Sequence, residues 1–237
     1  MESIEDALTY PMENDDWTVT VLIGGIFSLL SFLIVPSFLV SGYLVRAVRE
    51  RVQGATQPPT FGDWDELLVD GIKAWAIGLV YMLVPLVVLG VTVGGSLLTI
   101  LSGTDAGMGA GLAGLVGGLL ITFVLSLVFG YVATAAIIHF ACTGELGAAF
   151  DFGTLRKLVL SPEYATPWLV SVALFIAANV VVNLFNVIPF IGSLVAVVLS
   201  PFATFYVVVV ATDLWAGGYT AALDERAAAE SAGTATV

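Results

Sequence analysis

The sequence predicts an all-α protein, a polytopic transmembrane helical bundle with weak internal helical-hairpin repeats. Four stretches contain no Asp, Glu, Lys or Arg, at residues 17–45, 74–104, 106–144 and 164–212. A hydrocarbon core about 30 Å thick needs about 20 apolar residues of helix, so each stretch can cross a bilayer and the last can cross it twice. Hydrophobic residues make up 59% of the chain, charged residues make up 11%, and mean hydropathy is +1.02. This composition lies outside the range of soluble domains.

The charged residues and the helix breakers set the predicted boundaries. An acidic N-terminal segment, 1–16, precedes the membrane domain, 17–217, and a flexible tail, 218–237, follows it. Proline and glycine in residues 186–192 mark a turn that divides the last stretch. The domain therefore contains a first element at 17–48 and four predicted spans, at 74–104, 106–144, 164–188 and 190–216.

The first element has two interpretations. As one helix, residues 17–45 would be about 43 Å long, enough to span with tilt. Broken at Pro36, the same residues form a re-entrant hairpin, which is expected to need protein over its turn at membrane depth. A weak internal repeat favours the hairpin, since Asp16-Trp17 recurs as Asp63-Trp64.

Basic residues predict the orientation. Lys and Arg occur in three segments, 46–73, 156–157 and 226, and an even number of predicted spans separates them. Because basic loops stay in the cytoplasm, we expect these loops and the C-terminus on the cytoplasmic side of the cell membrane. Arg46, Arg49 and Arg51 are candidate contacts for anionic lipid headgroups, and the alternative is simple positive-inside anchoring.

Net charge limits the partners. The chain carries 19 acidic and 7 basic residues, a net charge of -12. Such an acidic chain argues against nucleic acid as a partner and suits a protein bathed in high salt. The expected partners are the lipid bilayer and membrane or cytoplasmic proteins. With one Cys and one His, no disulfide or classical zinc spacing is present, and no cofactor is expected.

Glycine recurs at every fourth position near the start of the third apolar stretch. The two consecutive pairs are Gly107 with Gly111 and Gly114 with Gly118. Glycine at this spacing lets helix backbones approach closely in lipid, which predicts a packing face. The alternative is a glycine-lined permeation path, because small residues also leave room for a cavity.

Three asparagines and one histidine interrupt the apolar helices. Asn179, Asn183 and Asn186 have i, i+4, i+7 spacing and share one helical face. Because amides are costly to expose to acyl chains, we expect this face to look into the bundle. It would serve hydrogen bonding between helices or line a polar route that also includes His139.

No motif for an enzyme is found. The sequence has no Gly-x-Ser-x-Gly elbow, no phosphate-binding loop and no His-Glu-x-x-His. We therefore expect a non-enzymatic scaffold or accessory subunit of the cytoplasmic membrane. The alternative is a small transporter or lipid-handling protein with a midplane cavity.

Four N-terminal motifs carry a family resemblance. They are Ala7-Leu-x-Tyr-Pro-x-x-x-Asp-Asp-Trp17, Leu22-Ile-Gly-Gly25, Gly42-Tyr-Leu-Val-Arg46 and Asp63-Trp-x-x-Leu-x-x-Asp-Gly71. The chain resembles an uncharacterised family of multi-pass membrane proteins found mainly in halophilic archaea. That family is distantly similar to the membrane domain of some glycerophosphodiester phosphodiesterases. The resemblance implies a membrane bundle and carries over no catalytic residue.

Overall fold

The structure is a computed structural model that describes residues 4–188 and 191–234, with side chains up to residue 225. These ranges contain no strand, and the predicted all-α class is confirmed. The α-helices are α1 Ile4–Thr9, α2 Trp17–Leu29, α3 Ile34–Val52, α4 Trp64–Ile100, α5 Asp105–Thr143, α6 Phe152–Val159, α7 Pro162–Leu184 and α8 Ile191–Thr234. Short 3-10 helices occupy Tyr10–Met12, Leu146–Phe150 and Phe185–Val187.

Four helices are long and apolar enough to cross a membrane. They are Trp64–Ile100, Asp105–Thr143, Pro162–Val187 and Ile191–Glu225. The chain divides into two compact units. One, the glycine-rich hairpin, is Ala76–Thr134, and the other, the main unit, comprises Met1–Trp75 and Ala135–Val237.

Close backbone approach defines the glycine-rich hairpin. Its turn uses Gly103 at a φ of +71°, and the Thr104 hydroxyl accepts a hydrogen bond from the Gly107 N–H at 3.0 Å to begin α5. A Cβ atom on any of the four predicted packing glycines would meet atoms of α4 or of the turn. At Gly118, for example, it would lie 2.5 Å from the Thr92 Cβ. The structure thus places this glycine face against α4.

The first apolar stretch forms two helices. α2 has 13 residues and α3 has 19, and they are separated at residues 30–33, before Pro36, which lies in the first turn of α3. The turn is exposed, with Phe32 78% exposed, whereas the sequence predicts that protein must cover it. Hydrogen bonds within the turn offer a reason: the N–H groups of Leu30 and Leu33 and the Ser31 hydroxyl donate to carbonyls nearby in the chain.

Both ends of this helix pair lie at the same end of the main unit. The Arg51 guanidinium, at the end of α3, lies 5.5 Å from the centre of the Tyr10 ring, which precedes α2. The Asn14 amide donates to the Pro58 carbonyl at 3.1 Å. The first element is therefore a helical hairpin whose two ends lie close together.

Aromatic rings of α3 and α8 form the core of the main unit. Tyr43 is fully buried, its ring centre lies 5.4 Å from that of Phe205, and it stacks on Phe61 at 4.5 Å. Gly24 and Gly25 of α2 face Phe205 and Phe202, so side chains there would collide with the rings. These small residues let α2 of the α2–α3 hairpin lie close against α8.

α3 and the start of α4 pack backbone to backbone. A Cβ at Gly42 would collide with the Leu67 carbonyl oxygen, and a Cβ at Gly71 would collide with that of Phe38. The contact is reciprocal, as expected for antiparallel helices. It gives a physical role to two glycines of the N-terminal motifs.

Some boundaries differ from the prediction. α4 begins at Trp64, before the predicted span start at 74, because the amphipathic segment continues into the span without a break. α8 continues beyond 217, where Tyr219 and Ala222 are buried, so the predicted flexible tail does not begin at 218. Residues 189–190, in the predicted turn between the last two spans, lie outside the described residues.

Replacing Gly71 tests the backbone contact. Gly71→Ala should lower the free energy of unfolding in detergent by about 1–3 kcal/mol, because backbone atoms must move to admit the methyl group. Gly78→Ala, two turns further along α4, is the matched control, since no atom lies within 4 Å of the place its methyl group would occupy. Equal losses in the two variants would contradict the proposed packing.

Candidate functional site

Three arginines near the end of α3 contact carboxylates from three parts of the chain. Arg46 lies 3.5 Å from both Asp63 and Glu66. Its guanidinium also donates to the Gly62 carbonyl at 3.0 Å. These contacts tie α3 to the segment that leads into α4.

Arg49 and Arg51 reach further across the main unit. Arg49 Nη2 lies 2.8 Å from Asp70 of α4, and its Nε donates to the Ala141 carbonyl at the end of α5. Arg51 Nε pairs with Asp213 of α8, and its Nη1 donates to the Ala55 carbonyl. The last turn of α3 is thereby tied to α4, α5 and α8.

Solvent exposure decides how much each of these ion pairs matters for the stability of the fold. The side chains of Asp63 and Glu66 are 74% and 71% exposed, so their pairs with Arg46 are screened by solvent. Asp213 is 3% exposed and Arg51 is 17% exposed. A buried charge that loses its partner is strongly destabilising, so the Arg51–Asp213 pair is the most demanding contact of the cluster.

Tyr10 covers this buried pair. Its hydroxyl is buried, and no hydrogen-bond partner is found for it among the described residues. Burial raises the pKa of Tyr10, the nearby Asp213 carboxylate raises it further, and Arg51 opposes the shift. The ring therefore stays neutral and presents its face to Arg51, a cation–π arrangement.

The predicted contacts of Arg46, Arg49 and Arg51 with lipid headgroups stay a prediction. Their guanidinium groups are engaged with carboxylates and carbonyls of the same chain. By contrast, Arg156 and Lys157 on α6 have exposed side chains. The sequence could not reveal this difference, because it gives charges without their neighbours.

His139 lies in a second polar cluster of the main unit. Its Nδ1 and the Tyr219 hydroxyl oxygen of α8 are 2.8 Å apart. The Cys142 thiol, one turn further along α5, interacts with the same hydroxyl. The cluster joins the ends of α5 and α8, and its histidine has a tyrosine partner.

Asn179 and Asn183 are exposed on α7, and Asn186 is exposed on the 3-10 helix that follows, whereas the sequence predicts that all three look into the bundle. The Asn179 amide donates to the Phe175 carbonyl at 2.9 Å, and that of Asn183 donates to the Asn179 carbonyl at 2.8 Å. The Asn186 amide donates to the Asn183 side chain at 3.1 Å. These bonds within the helix satisfy part of each amide, so an inward-facing partner helix is not required.

Asn179 borders a shallow groove between α7 and α8. The groove is open to its surroundings and contains no enclosed space large enough for a water molecule, whereas ligand pockets hold roughly 300–1,000 Å³. Its lining is Phe175, Ala178, Asn179, Val182, Ser200, Ala203 and Thr204.

The structure does not bring His139 and the asparagines together. On α8, the partner of His139 is Tyr219 and the groove ends at Thr204. These residues are 15 positions apart, which is about 22 Å of helix at 1.5 Å per residue. A single midplane cavity lined by Asn179, Asn183 and His139 is therefore not formed in the described part of the main unit.

No metal centre is found in the part of the chain that the structure describes. Groups of three or more His, Cys, Asp or Glu side chains placed to hold an ion are absent there. Asp70 and Asp213, whose pairing with arginines the sequence does not predict, are the partners of Arg49 and Arg51. The sequence marks Asp213 only by its position, because it directly follows the charge-free stretch 164–212.

These features define an all-α bundle with four helices long and apolar enough to cross a membrane, in which ion pairs tie the end of α3 to α4 and α8. The chain belongs to a family described as proteins of unknown function, DUF4013, whose family model matches residues 26–187. The match contains Arg49 and Asp70, and Asp213 lies beyond it. Comparisons with curated proteins and with solved structures each found no match.

Removing the buried carboxylate tests the ionic cluster. Asp213→Asn should lower the free energy of unfolding by about 3–5 kcal/mol, because it removes the charge of one member of a buried ion pair. Denaturation of the purified protein in detergent measures the loss.

Glu66→Gln is the matched control, because it removes an exposed partner of Arg46 and should cost about 0–1 kcal/mol. Replacing both members of the buried pair, Arg51→Met with Asp213→Leu, should recover much of the stability. Equal losses for Asp213→Asn and Glu66→Gln would show that the buried pair has no special weight.

Proposed function

We propose that this protein is a non-enzymatic integral membrane protein that serves as a scaffold or accessory subunit. The proposal is based on the contacts that the polar side chains make within the chain. The α3 arginines contact carboxylates of their own chain, and His139 contacts Tyr219. Side chains that could perform chemistry are thus engaged in joining helices.

The geometry gives less support to the alternative, a small transporter or lipid-handling protein. Such a protein needs a polar route, and the two polar sites expected to form it lie about 22 Å apart along α8. The groove at Asn179 is open and has no enclosed space large enough for a water molecule. A surface groove of this size suits contact with another helix better than enclosure of a solute.

The same proposal includes location. We place the protein in the cytoplasmic membrane, with the basic segments and the C-terminus on the cytoplasmic side, because basic loops are retained there. The α3 arginines and the ends of the α2–α3 hairpin share one end of the main unit. On this proposal, the N-terminal segment is also cytoplasmic.

Flux measurements separate the scaffold from the transporter. The purified protein is reconstituted into vesicles that contain a pH-sensitive dye and a fluorescent lipid in the outer leaflet. Proton entry and lipid exchange between leaflets should equal those of protein-free vesicles, because no continuous polar route is expected. A pore-forming peptide and a known lipid-exchanging protein serve as positive controls.

Any protein-dependent flux would contradict the scaffold proposal. Its loss in the Asn179→Leu, Asn183→Leu variant would assign the route to the asparagine face. In native membranes solubilised gently, a scaffold should migrate in an assembly heavier than the purified protein. Migration identical to that of the purified protein would also contradict the proposal.

A further inference from the structure

The exposed amides of α7 lie well inside a candidate span. Asn179 is 17 residues from the start of the span Pro162–Val187 and 8 residues from its end, or about 26 Å and 12 Å of helix. Its neighbours on the outer surface, Ile176 and Val180, are apolar. An amide exposed to acyl chains at this depth is costly unless its hydrogen bonds are satisfied.

Bonds within α7 satisfy these amides only in part. A side-chain amide has two N–H donors and a carbonyl acceptor. The Asn179 Nδ2 donates to Phe175, and the Asn183 Nδ2 donates to Asn179, which uses one donor of each. Further donor and acceptor capacity remains on the outer face of the helix.

The adjoining groove has the character of a helix-packing surface. Four of its lining residues are small, namely Ala178, Ser200, Ala203 and Thr204. Small and hydroxylated residues let a second helix approach closely in lipid and offer it hydrogen bonds. The groove and the amides are contiguous, because Asn179 belongs to both.

We propose that a second copy of this chain docks on this face, with α7 against α7 about a two-fold axis along the membrane normal. Asn179 and Asn183 of each copy then hydrogen-bond across the interface. This homodimer deepens the proposed scaffold function and rests on it, because it names one partner that the scaffold holds.

Electrostatic complementarity favours a second copy. No charged residue occurs from 164 to 212, so a second copy presents an uncharged surface with polar amides at this depth. An amide is donor and acceptor at once, and a two-fold axis places the same patch on both partners. The asparagine strip of α7 is therefore complementary to itself.

Cysteine cross-linking in vesicles tests the dimer. The natural thiol is removed by Cys142→Ser, and Val180→Cys is introduced beside the amides. Val124→Cys on α5 is the matched control, because both valines are 57% exposed. Each variant is reconstituted at a high lipid-to-protein ratio and oxidised, and the fraction of covalent dimer is measured on a denaturing gel.

We expect Val180→Cys to give at least about tenfold more dimer than Val124→Cys, a ratio equal to about 1.4 kcal/mol of preference. Adding Asn179→Leu and Asn183→Leu should reduce the Val180→Cys dimer to the control level. For a second measurement, Gln53→Cys is introduced into the Cys142→Ser protein and labelled with a fluorophore. In single vesicles, the fluorescence should bleach in two steps. It should bleach in one step when Asn179→Leu and Asn183→Leu are added. Equal cross-linking at both valines, or dimer unaffected by the leucines, would overturn the proposal.

The outcomes keep the two proposals apart. A monomer that shows no flux and still migrates in a large native assembly would overturn the dimer and leave the scaffold function in place. A dimer that shows protein-dependent flux would overturn the scaffold function and leave the interface in place.

Discussion

The buried pair between Arg51 and Asp213 is the contact on which the main unit depends. It joins α3 to α8 across 162 positions of sequence. Ionised groups removed from water require a partner, so this pair fixes where α3 ends along α8. Tyr10 then lies against Arg51, and the N-terminal segment is held beside the pair.

Small residues add the close helix contacts that hold the α2–α3 hairpin in the main unit. Gly24 and Gly25 admit the rings of α8, and Gly42 and Gly71 bring the backbones of α3 and α4 together. A short hairpin cannot bury much side-chain surface, so close approach gives it contacts that larger residues would prevent. The ion pair at the end of α3 and the glycines of α2 and α3 together hold the α2–α3 hairpin in the main unit.

Much of the fold follows from one-dimensional features. Charge-free length predicts the four long helices, because the hydrocarbon thickness sets a minimum span. Glycine spacing predicts the face of α5 that lies against α4, since i, i+4 positions share a helical face. The α2–α3 hairpin is one of two interpretations that the sequence allows, and the choice between them depends on Tyr10 meeting Arg51, a contact that no local pattern encodes.

The sequence does not show which way a polar helical face points or which distant residues pair. Helical period places Asn179 and Asn183 on one face, but period alone does not say whether that face looks inward or outward. The sequence does not pair Arg49 with Asp70 or Arg51 with Asp213, because these partners lie 21 and 162 positions away. The sequence predicts a flexible tail from residue 218, whereas the helix continues there, with Tyr219 buried beside His139.

Thiol labelling on intact cells tests the central claim most directly. In a Cys142→Ser background, cysteines replace Met12 and Gln53, which are both exposed and lie before and after the hairpin. A membrane-impermeant reagent should reach neither position in intact cells and both after the membrane is opened. Leu101→Cys, at the turn between α4 and α5, should label from outside. Labelling of Met12→Cys from outside while Gln53→Cys stays protected would show that the first element crosses the membrane once, and would contradict the hairpin held by Arg51 and Asp213.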